Sequence, residues 1–523
     1  MLFLTTLLIS IFVTIVIMPY SRELAIRLQA TDKPGHRKIH EQIMPKCGGL
    51  AMAVGAFAPI LLWAPKTNFV KGLLLGSMII VTFGLADDIK DLKPHLKLTG
   101  QLMAALVVTF VAGIKISSLG SLWFKGALLP DWAAIPLTVL TIVGVTNATN
   151  LSDGLDGLAG GISLLIFLCI GYLGVAEGDW AIAMVAIAAG GSLLGFLRFN
   201  SYPAQLFMGD AGSQLLGFVA VILAIKLAQS SANISVIIPL IIFGIPILDT
   251  LTVMVKRLAQ GHSPFSADRN HFHHQLMAVG LYHTEAVMVI YMAQALLILA
   301  VLVYPAANDR ILLITYLLFA GSVLAAFHIA QKTGYQFDRS QSLYRIKTRL
   351  RPLKDRGQII KFSFGFVKIC VPALLIFNAL FPIIRNNRLA LLSGGFLILM
   401  ALAWIFNRKW LNRISKIAIY LFTPFLILNC DQSIYALNNY FFVLAYSSLY
   451  LLLLGSMLIT VKLTRRSSGF KSSTLDFLVI FVIILIPNLP DAALKGYLLG
   501  LVAAKTVILY YSYEVLFGEL RRK

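Results

Sequence analysis

Long apolar runs recur along the whole chain and are separated by shorter polar segments. A helix needs about 20 apolar residues to cross about 30 Å of hydrocarbon, so each run predicts one membrane span. Because a helix satisfies its own backbone hydrogen bonds in lipid, the pattern predicts an all-α polytopic membrane protein. About eleven core spans are expected, at roughly 2–20, 47–65, 70–86, 99–115, 132–148, 159–176, 180–197, 213–229, 234–252, 285–304 and 309–329. About six more follow, at roughly 364–381, 389–406, 415–430, 438–461, 474–489 and 496–516.

A basic, polar stretch lies between the two groups of spans. We therefore expect a membrane-embedded core over 1–335, a basic cytoplasmic linker over 336–362, and a C-terminal multi-span module over 363–523. The linker is either an ordinary positively charged loop or a segment drawn to anionic headgroups. The module carries no acidic motif like those of the core, and the sequence does not indicate its role.

The composition supports a membrane location and gives an orientation. Residues are 58% hydrophobic and 13% charged, whereas a soluble domain has about a quarter charged residues. The net charge of +21 comes from Lys and Arg concentrated in alternate loops, including 21–46, 87–98 and 253–284. Such residues are retained in cytoplasmic loops, so we expect a multi-pass protein of the inner (cytoplasmic) membrane and no nucleic-acid partner.

Acidic side chains cluster at the predicted cytoplasmic ends of the spans. Asp87 and Asp88 directly follow an apolar run, where adjacent acids need a cation or a proton to offset their repulsion. The string from Asn147 to Gly157 has a polar side chain at every third residue up to Asp156, with glycines at positions 154 and 157. Asp210 lies just before a predicted helix, where backbone N–H groups favour phosphate. A solvated helix end or a simple helix cap is the alternative at each position.

Two further features complete the polar set. Asp249 lies inside a predicted span, where it either serves a site or hydrogen-bonds a neighbouring helix. The loop after that span contains Arg269, His271, His273 and His274. The histidines also suit zinc, but the chain offers no obvious thiolate partner and its oxygen-rich groups favour Mg²⁺. Hard oxygen ligands and cationic donors together are what phosphoryl transfer requires.

Several strings resemble the polyprenyl-phosphate N-acetylhexosamine-1-phosphate transferases. They are GLADDIKDLKPHLKLTGQ, TNATNLSDGLDGLAGG, FMGDAGSQLLGF, PILDT, SPFSADRNHFHHQL and the opening loop DKPGHRKIHEQIMPKCGGLA. The resemblance covers roughly residues 1–335. Its DRxHxHH form is more similar to the branch that starts teichoic acid, enterobacterial common antigen or O-antigen chains.

The resemblance implies a UDP-sugar donor, a polyprenyl phosphate acceptor, Mg²⁺ (with Mn²⁺ as an alternative ion) and release of UMP. The sugar expected is GlcNAc, the active site is expected on the cytoplasmic face, and a homodimer is compatible with this interpretation. It assigns catalysis to Asp87, Asp88 and Lys97, metal binding to Asn150 and Asp210, and the nucleotide to Asn147, Asp153, Asp156 and Phe207. It assigns the sugar and diphosphate to Arg269, His271, His273 and His274, and the lipid phosphate to Lys46.

Three other functions remain alternatives at this point. A phospho-N-acetylmuramoyl-pentapeptide transferase would belong to the same family, but its histidine loop is less similar. An intramembrane prenyltransferase would use the DDxxD string but needs a second motif of DxxxD type. A polytopic transporter would favour acids at mid-membrane on internally repeated halves, whereas these acids lie on one rim without a repeat.

Overall fold

The part of the chain that the structure describes is mainly helical. The computed structural model describes residues 2–32, 43–122, 127–263, 270–336, 358–381, 387–406, 408–437, 439–463, 478 and 499–520. Among them, eleven helices are long and apolar enough to cross a membrane, nine of them within residues 1–335 and two beyond, while the predicted span at 47–65 forms a shorter apolar helix. The apolar pattern is confirmed in this respect, and the protein is an all-α multi-pass membrane protein.

The described residues form two compact units. The first holds α1 (Leu2–Arg27), α2 (Gly48–Trp63), α3 (Asn68–Lys90), α4 (Pro94–Val111), α5 (Asp131–Leu151), α6 (Leu158–Ala176), α7 (Trp180–Asn200), α8 (Gly209–Ser230), α9 (Ile238–Ile242), α10 (Gly244–Ala259), α11 (Phe272–Ala278), α12 (His283–Val303) and α13 (Asp309–Lys332). Two short antiparallel strands, β1 (Thr31–Asp32) and β2 (Met44–Pro45), lie between α1 and α2.

Helix α8 lies at the centre of the first unit. It packs against α2, α3, α5 and α6, and 94% of its most apolar stretch is buried. Close approach of α3 depends on Gly84, where an added Cβ would overlap the backbone of Ala211. A glycine there brings the end of α3 against the beginning of α8. The acids on the two helices are therefore held together by buried, close-packed backbone.

The ninth predicted span, 234–252, is not one continuous helix. Its residues belong to α9 and α10, which meet at Phe243, where the backbone departs from helical geometry. Backbone freed by a break inside a membrane must find other partners. Here Gln294 donates to the carbonyl of Ile242 at 2.8 Å, and Tyr316 donates to the carbonyl of Gly244 at 3.0 Å. The run was apolar enough for a span, but Pro246 and the flanking Gly244 divide it.

The second unit contains α14 (Gln358–Leu380), α15 (Asn387–Phe406), α16 (Arg408–Ala436), α17 (Tyr440–Leu463) and α18 (Leu499–Leu520). Apolar side chains of α14, α16, α17 and α18 form one core. Most of the predicted linker, and the predicted span at 474–489 apart from Leu478, lie outside the described residues.

A buried ion pair crosses this second core. Lys505 on α18 donates to Asp431 on α16 at 2.6 Å, with both side chains at most 3% exposed. The Lys505 ammonium also lies 4.1 Å from the ring centre of Tyr446. Removing one member of such a pair leaves a buried charge without its partner, which is more costly than removing both.

We expect Lys505→Met to lower the free energy of unfolding of the second unit by about 3–5 kcal/mol. The double variant Lys505→Met/Asp431→Leu should recover most of that loss, because no lone charge remains in the core. Reversible unfolding in mixed micelles measures both, and Lys368→Met, at an exposed position of α14, is the matched control. Additive losses in the double variant would contradict this prediction.

Candidate active site

The acidic pair lies at the end of α3. The helix ends at Lys90, and the next residue, Asp91, adopts a left-handed conformation with φ of 45°. One oxygen of Asp87 accepts from the backbone N–H of Leu92 at 2.7 Å and so holds the turn that follows the helix. Asp87 and Asp88 are only 3% and 5% exposed, so the structure places both acids inside the protein rather than at a solvated helix end.

Asp88 is bound to the beginning of α8. Its two carboxylate oxygens accept from the backbone N–H groups of Asp210, at 2.9 Å, and Ala211, at 3.2 Å. The first-turn N–H groups of a helix have no partner within that helix, and a carboxylate also suits the positive end of its dipole. Asp88 therefore fixes the position of the backbone that carries Asp210.

Lys97 joins the two acidic segments. Its ammonium lies 2.5 Å from an oxygen of Asp87 and 3.1 Å from an oxygen of Asp210. A second cation, Lys46, lies 3.9 Å from Asp88. The structure thus brings together Lys46, Asp87, Asp88, Lys97 and Asp210 from four separate parts of the chain.

Asn150, near the end of α5, also approaches α8. Its side-chain oxygen accepts from the hydroxyl of Ser213 at 2.5 Å, and Ser213 lies 3.1 Å from the carbonyl of Gly209. The two predicted metal ligands, Asn150 and Asp210, are consequently linked through the first turn of α8. Ser213 has a single hydroxyl hydrogen, so its contacts with the two oxygens compete.

Asn147 lies in an interior chain of amides that the sequence analysis did not predict. It donates to Gln101 at 2.7 Å, and Gln101 donates to Gln214 at 3.0 Å. Gln214 in turn approaches Asp210 at 3.4 Å. The signal that could have found Gln101 and Gln214 is their polarity within apolar spans, because such residues are rare in lipid and commonly functional.

The loop after α5 adds two more acids. Burial, together with the charges of Asp210, Asp156 and Asp88, raises the pKa of Asp153 to about 7. These carboxylates are therefore close enough to repel one another, which favours binding of a cation among them. Asp156 itself accepts from the backbone N–H of Ala204 at 2.9 Å.

Hydrogen bonds across the loop fix its shape. Gly157, with φ of 79°, donates to Asn200 at 2.9 Å and accepts from Tyr291 at 2.5 Å. Asn200 donates to the carbonyl of Leu206 at 3.0 Å. The next residue, Phe207, pairs with Lys46 through backbone and so ties the predicted nucleotide position to the opening loop.

The predicted loop residues Arg269, His271, His273 and His274, here called the histidine motif, have different surroundings. His271 lies 3.0 Å from Asp249, and its ring stacks on that of His273, with centres 5.9 Å apart. Burial, together with the neighbouring histidines, lowers the pKa of His273 to about 3, so its ring is neutral at pH 7. His274 packs against His273 with ring centres 4.2 Å apart, whereas Arg269 lies outside the described residues.

A further aromatic contact borders the same region and was not predicted. The ring of Tyr202 lies 4.5 Å from that of His283, at the beginning of α12. Both residues are outside the acidic strings, so neither charge pattern nor motif spacing marked them. The geometry places them beside the segment around Asp156, since Ala204 follows Tyr202 by two residues.

The donor groups on this rim suit Mg²⁺ better than zinc. A carboxylate oxygen is available from Asp210 and an amide oxygen from Asn150, which is hydrogen-bonded to Ser213 on the same helix as Asp210. Within the described ranges, no three His, Cys, Asp or Glu side chains are arranged to hold a metal by themselves. Mg²⁺ commonly uses one or two protein oxygens together with substrate phosphates, so this sparse donor set fits it.

Comparison with known proteins identifies the family. A family model, Glycosyl transferase family 4, matches residues 70–228. A probable undecaprenyl-phosphate N-acetylglucosaminyl 1-phosphate transferase of Bacillus subtilis (strain 168) is 33% identical over 57% of this chain and 84% of its own length. Undecaprenyl-phosphate alpha-N-acetylglucosaminyl 1-phosphate transferases of Salmonella typhi and Yersinia pestis are 32% and 29% identical, over 55% and 53% of this chain and 81% and 77% of their own lengths. The chain therefore belongs to the polyprenyl-phosphate N-acetylhexosamine-1-phosphate transferases, within glycosyl transferase family 4.

Proposed function

We propose that the protein transfers GlcNAc-1-phosphate from UDP-GlcNAc to undecaprenyl phosphate and releases UMP. The relatives named above are GlcNAc-1-phosphate transferases that act on undecaprenyl phosphate. The observation that carries the proposal is the Lys97 ammonium held between Asp87 and Asp210. An ammonium group on the rim where α3 and α8 meet provides a binding group for a lipid phosphate or a diphosphate.

The reaction exchanges one bond to phosphorus for another. An oxygen of the lipid phosphate attacks the phosphorus that carries the sugar, and the bond from that phosphorus to the bridging oxygen breaks. UMP leaves with the bridging oxygen and its electron pair, and the lipid diphosphate-linked sugar remains. Positioning and charge stabilisation provide most of the catalysis in such transfers.

Each polar group has a role in this scheme. Lys97 binds the lipid phosphate and offsets the charge that accumulates as the two phosphates approach. Asp87, whose second oxygen contacts Lys97, orients the attacking phosphate or accepts its proton. Asp88 holds the beginning of α8 and thereby positions Asp210. Lys46, 3.9 Å from Asp88, adds positive charge on the side of the lipid phosphate.

Asp210 and Asn150 are the residues that would hold Mg²⁺, with the diphosphate completing its coordination. When bound, the ion would neutralise the diphosphate and stabilise the departing UMP. The proximity of Asp153 to Asp88, Asp156 and Asp210 supports this assignment, because a cation among these carboxylates would lower their repulsion. Mn²⁺ has the same preference for oxygen ligands and should substitute.

The segment around Asp153, Asp156 and Phe207 is the proposed nucleotide site, and the histidine motif the proposed sugar and diphosphate site. We place the active site on the cytoplasmic face of the inner membrane, where UDP-sugars are soluble. The excess of Lys and Arg in loops on the same side as the acids supports this orientation. The product would then begin a cell-envelope glycan such as an O-antigen or teichoic acid chain.

A single assay tests the reaction and its metal dependence. Purified protein should exchange labelled UMP into UDP-GlcNAc in the presence of undecaprenyl phosphate and Mg²⁺, and a panel of UDP-sugars should favour GlcNAc. Excess chelator should abolish exchange, and Mg²⁺ or Mn²⁺ should restore it. Asp210→Asn should remove activity by weakening the oxygen site.

The outcomes separate this proposal from its alternatives. Exchange only with UDP-muramoyl-pentapeptide would make the protein a pentapeptide transferase. Prenyl diphosphate consumption without UMP would indicate a prenyltransferase. Full activity in excess chelator would contradict the metal assignment and leave the transfer itself standing.

A further inference from the structure

Both carboxylate oxygens of Asp249 contact the chain segment that carries the histidine motif. One oxygen lies 3.0 Å from Nδ1 of His271, and the other accepts from the backbone N–H of Phe272 at 2.8 Å. Asp249 is 6% exposed and His271 is 7% exposed, so this contact is shielded from water. An acid on α10 is thus bonded to both the side chain and the backbone at the beginning of α11.

This arrangement fixes which nitrogen of His271 carries hydrogen. An ionised carboxylate can only accept hydrogen bonds, so Nδ1 of His271 carries the hydrogen and donates to Asp249. Nε2 is then the nitrogen left to meet a substrate. An aspartate that orients a histidine in this way also stabilises a positive charge that develops on the ring.

The pair lies next to the proposed transfer site. Helix α10 packs against α5, which carries Asn150. His271 stacks on His273, and an added Cβ at Gly154 would overlap the ring of His273. The histidine motif therefore contacts the loop of Asp153, and His271 is hydrogen-bonded to the buried Asp249.

We propose that Asp249 is a positioning residue for the transfer reaction: it holds His271 so that Nε2 binds the diphosphate of the UDP-sugar. Its negative charge supports a positive ring when the anionic diphosphate is bound. This inference rests on the proposed function and assigns Asp249 a role in it.

Two substitutions of His271 separate substrate binding from structural support. His271→Asn retains a side-chain N–H at the position of Nδ1, so it can still donate to Asp249, but it has no Nε2. We expect kcat/KM for UDP-GlcNAc to fall about 10²–10³-fold while the unfolding temperature stays unchanged. His271→Gln retains a donor near the position of Nε2 and loses the bond to Asp249, so it should keep more activity and lose stability.

Substitution of Asp249 tests the positioning role directly. Asp249→Asn can still accept from Phe272, but it presents an N–H group to Nδ1 and reverses the ring's hydrogen placement. We expect kcat to fall about 10–100-fold, as is common for partners of a binding histidine. Because both residues act through Nε2, Asp249→Asn/His271→Asn should be no less active than His271→Asn alone.

His328→Asn, at an exposed position of α13, is the matched control and should behave as wild type. Near-normal turnover in His271→Asn would show that the pair only supports the fold, and additive losses in the double variant would overturn the coupling. If His271→Asn is too unstable to purify, His271→Gln and Asp249→Asn can be compared in membranes instead. A pair that only supports the fold predicts that stability and activity fall in parallel in both variants, and this result would overturn the positioning role. Failure of wild-type protein to exchange UMP would instead reject the proposed function.

Discussion

Lys97→Met should lower turnover with undecaprenyl phosphate by about 10³-fold or more. The ammonium lies within 3.1 Å of both Asp87 and Asp210, so its loss leaves the buried Asp87 carboxylate and the half-buried Asp210 carboxylate facing an incoming phosphate. Single electrostatic groups of this kind commonly contribute about 10²–10³ in rate, and cations that stabilise phosphoryl transfer contribute about 10³–10⁵. Transfer of labelled GlcNAc-1-phosphate to the lipid in detergent micelles measures the effect.

The neighbouring Lys93 provides a matched control for that substitution. It lies on the same segment but is exposed, and Lys93→Met should leave turnover within about twofold of wild type. Lys97→Arg should recover little, because a planar guanidinium cannot occupy the place of an ammonium 2.5 Å from one acid and 3.1 Å from another. Turnover of Lys97→Met above a third of wild type would remove Lys97 from the mechanism.

The sequence predicted the membrane fold well because its dominant signal is local. Each apolar run must form a helix in lipid, so spans such as α6 and α7 follow from their own residues. The division between α9 and α10 was missed because the apolar run outweighed the local signal of Gly244 and Pro246, and the hydrogen bonds that stabilise the break come from Gln294 and Tyr316 on distant helices. Partners separated by more than 50 residues leave no trace in the hydropathy of either segment.

The candidate site was predicted by residue type but not by pairing. Clustered acids on one rim indicated phosphate chemistry, and the structure places Asp87, Asp88, Lys97 and Asp210 together. What the sequence left open was which acid contacts which group, because Asp87 and Asp88 are adjacent and chemically identical. Their difference arises from the backbone of α3, which directs one carboxylate to Lys97 and the other to the beginning of α8.

The pairing of the interior amide side chains was likewise not predictable from the sequence. Gln101 and Gln214 looked like ordinary polar residues in apolar spans until the structure connected them to Asn147 and Asp210. Tyr202 and His283 gave no signal, since a single aromatic residue in a loop is common. Side chains that act through distant partners therefore require the tertiary structure to be recognised.

Because Asp87 and Asp88 have different contacts, we expect their substitution to affect turnover in different ways. Asp87→Asn should lower kcat about 10²–10⁴-fold, as expected for loss of a positioned base or orienting group. The stability of the protein should change little, because Lys97 keeps its contact with Asp210. The concentration of Mg²⁺ required for half-maximal activity should also remain as in wild type, since Asp210 stays in place.

Asp88→Asn should produce a different set of changes. An asparagine can accept from only one of the two N–H groups of Asp210 and Ala211, and its own amide group opposes the other. Loss of such a helix-capping contact costs about 0.5–2 kcal/mol, so the unfolding temperature should fall with activity. The shift of α8 should displace Asp210 and raise the Mg²⁺ concentration required for half-maximal turnover.

Asp91→Asn, at an exposed left-handed position that asparagine tolerates, is the control for both variants. If Asp87→Asn alters the Mg²⁺ requirement and stability while Asp88→Asn affects only kcat, the roles assigned to the two acids are reversed.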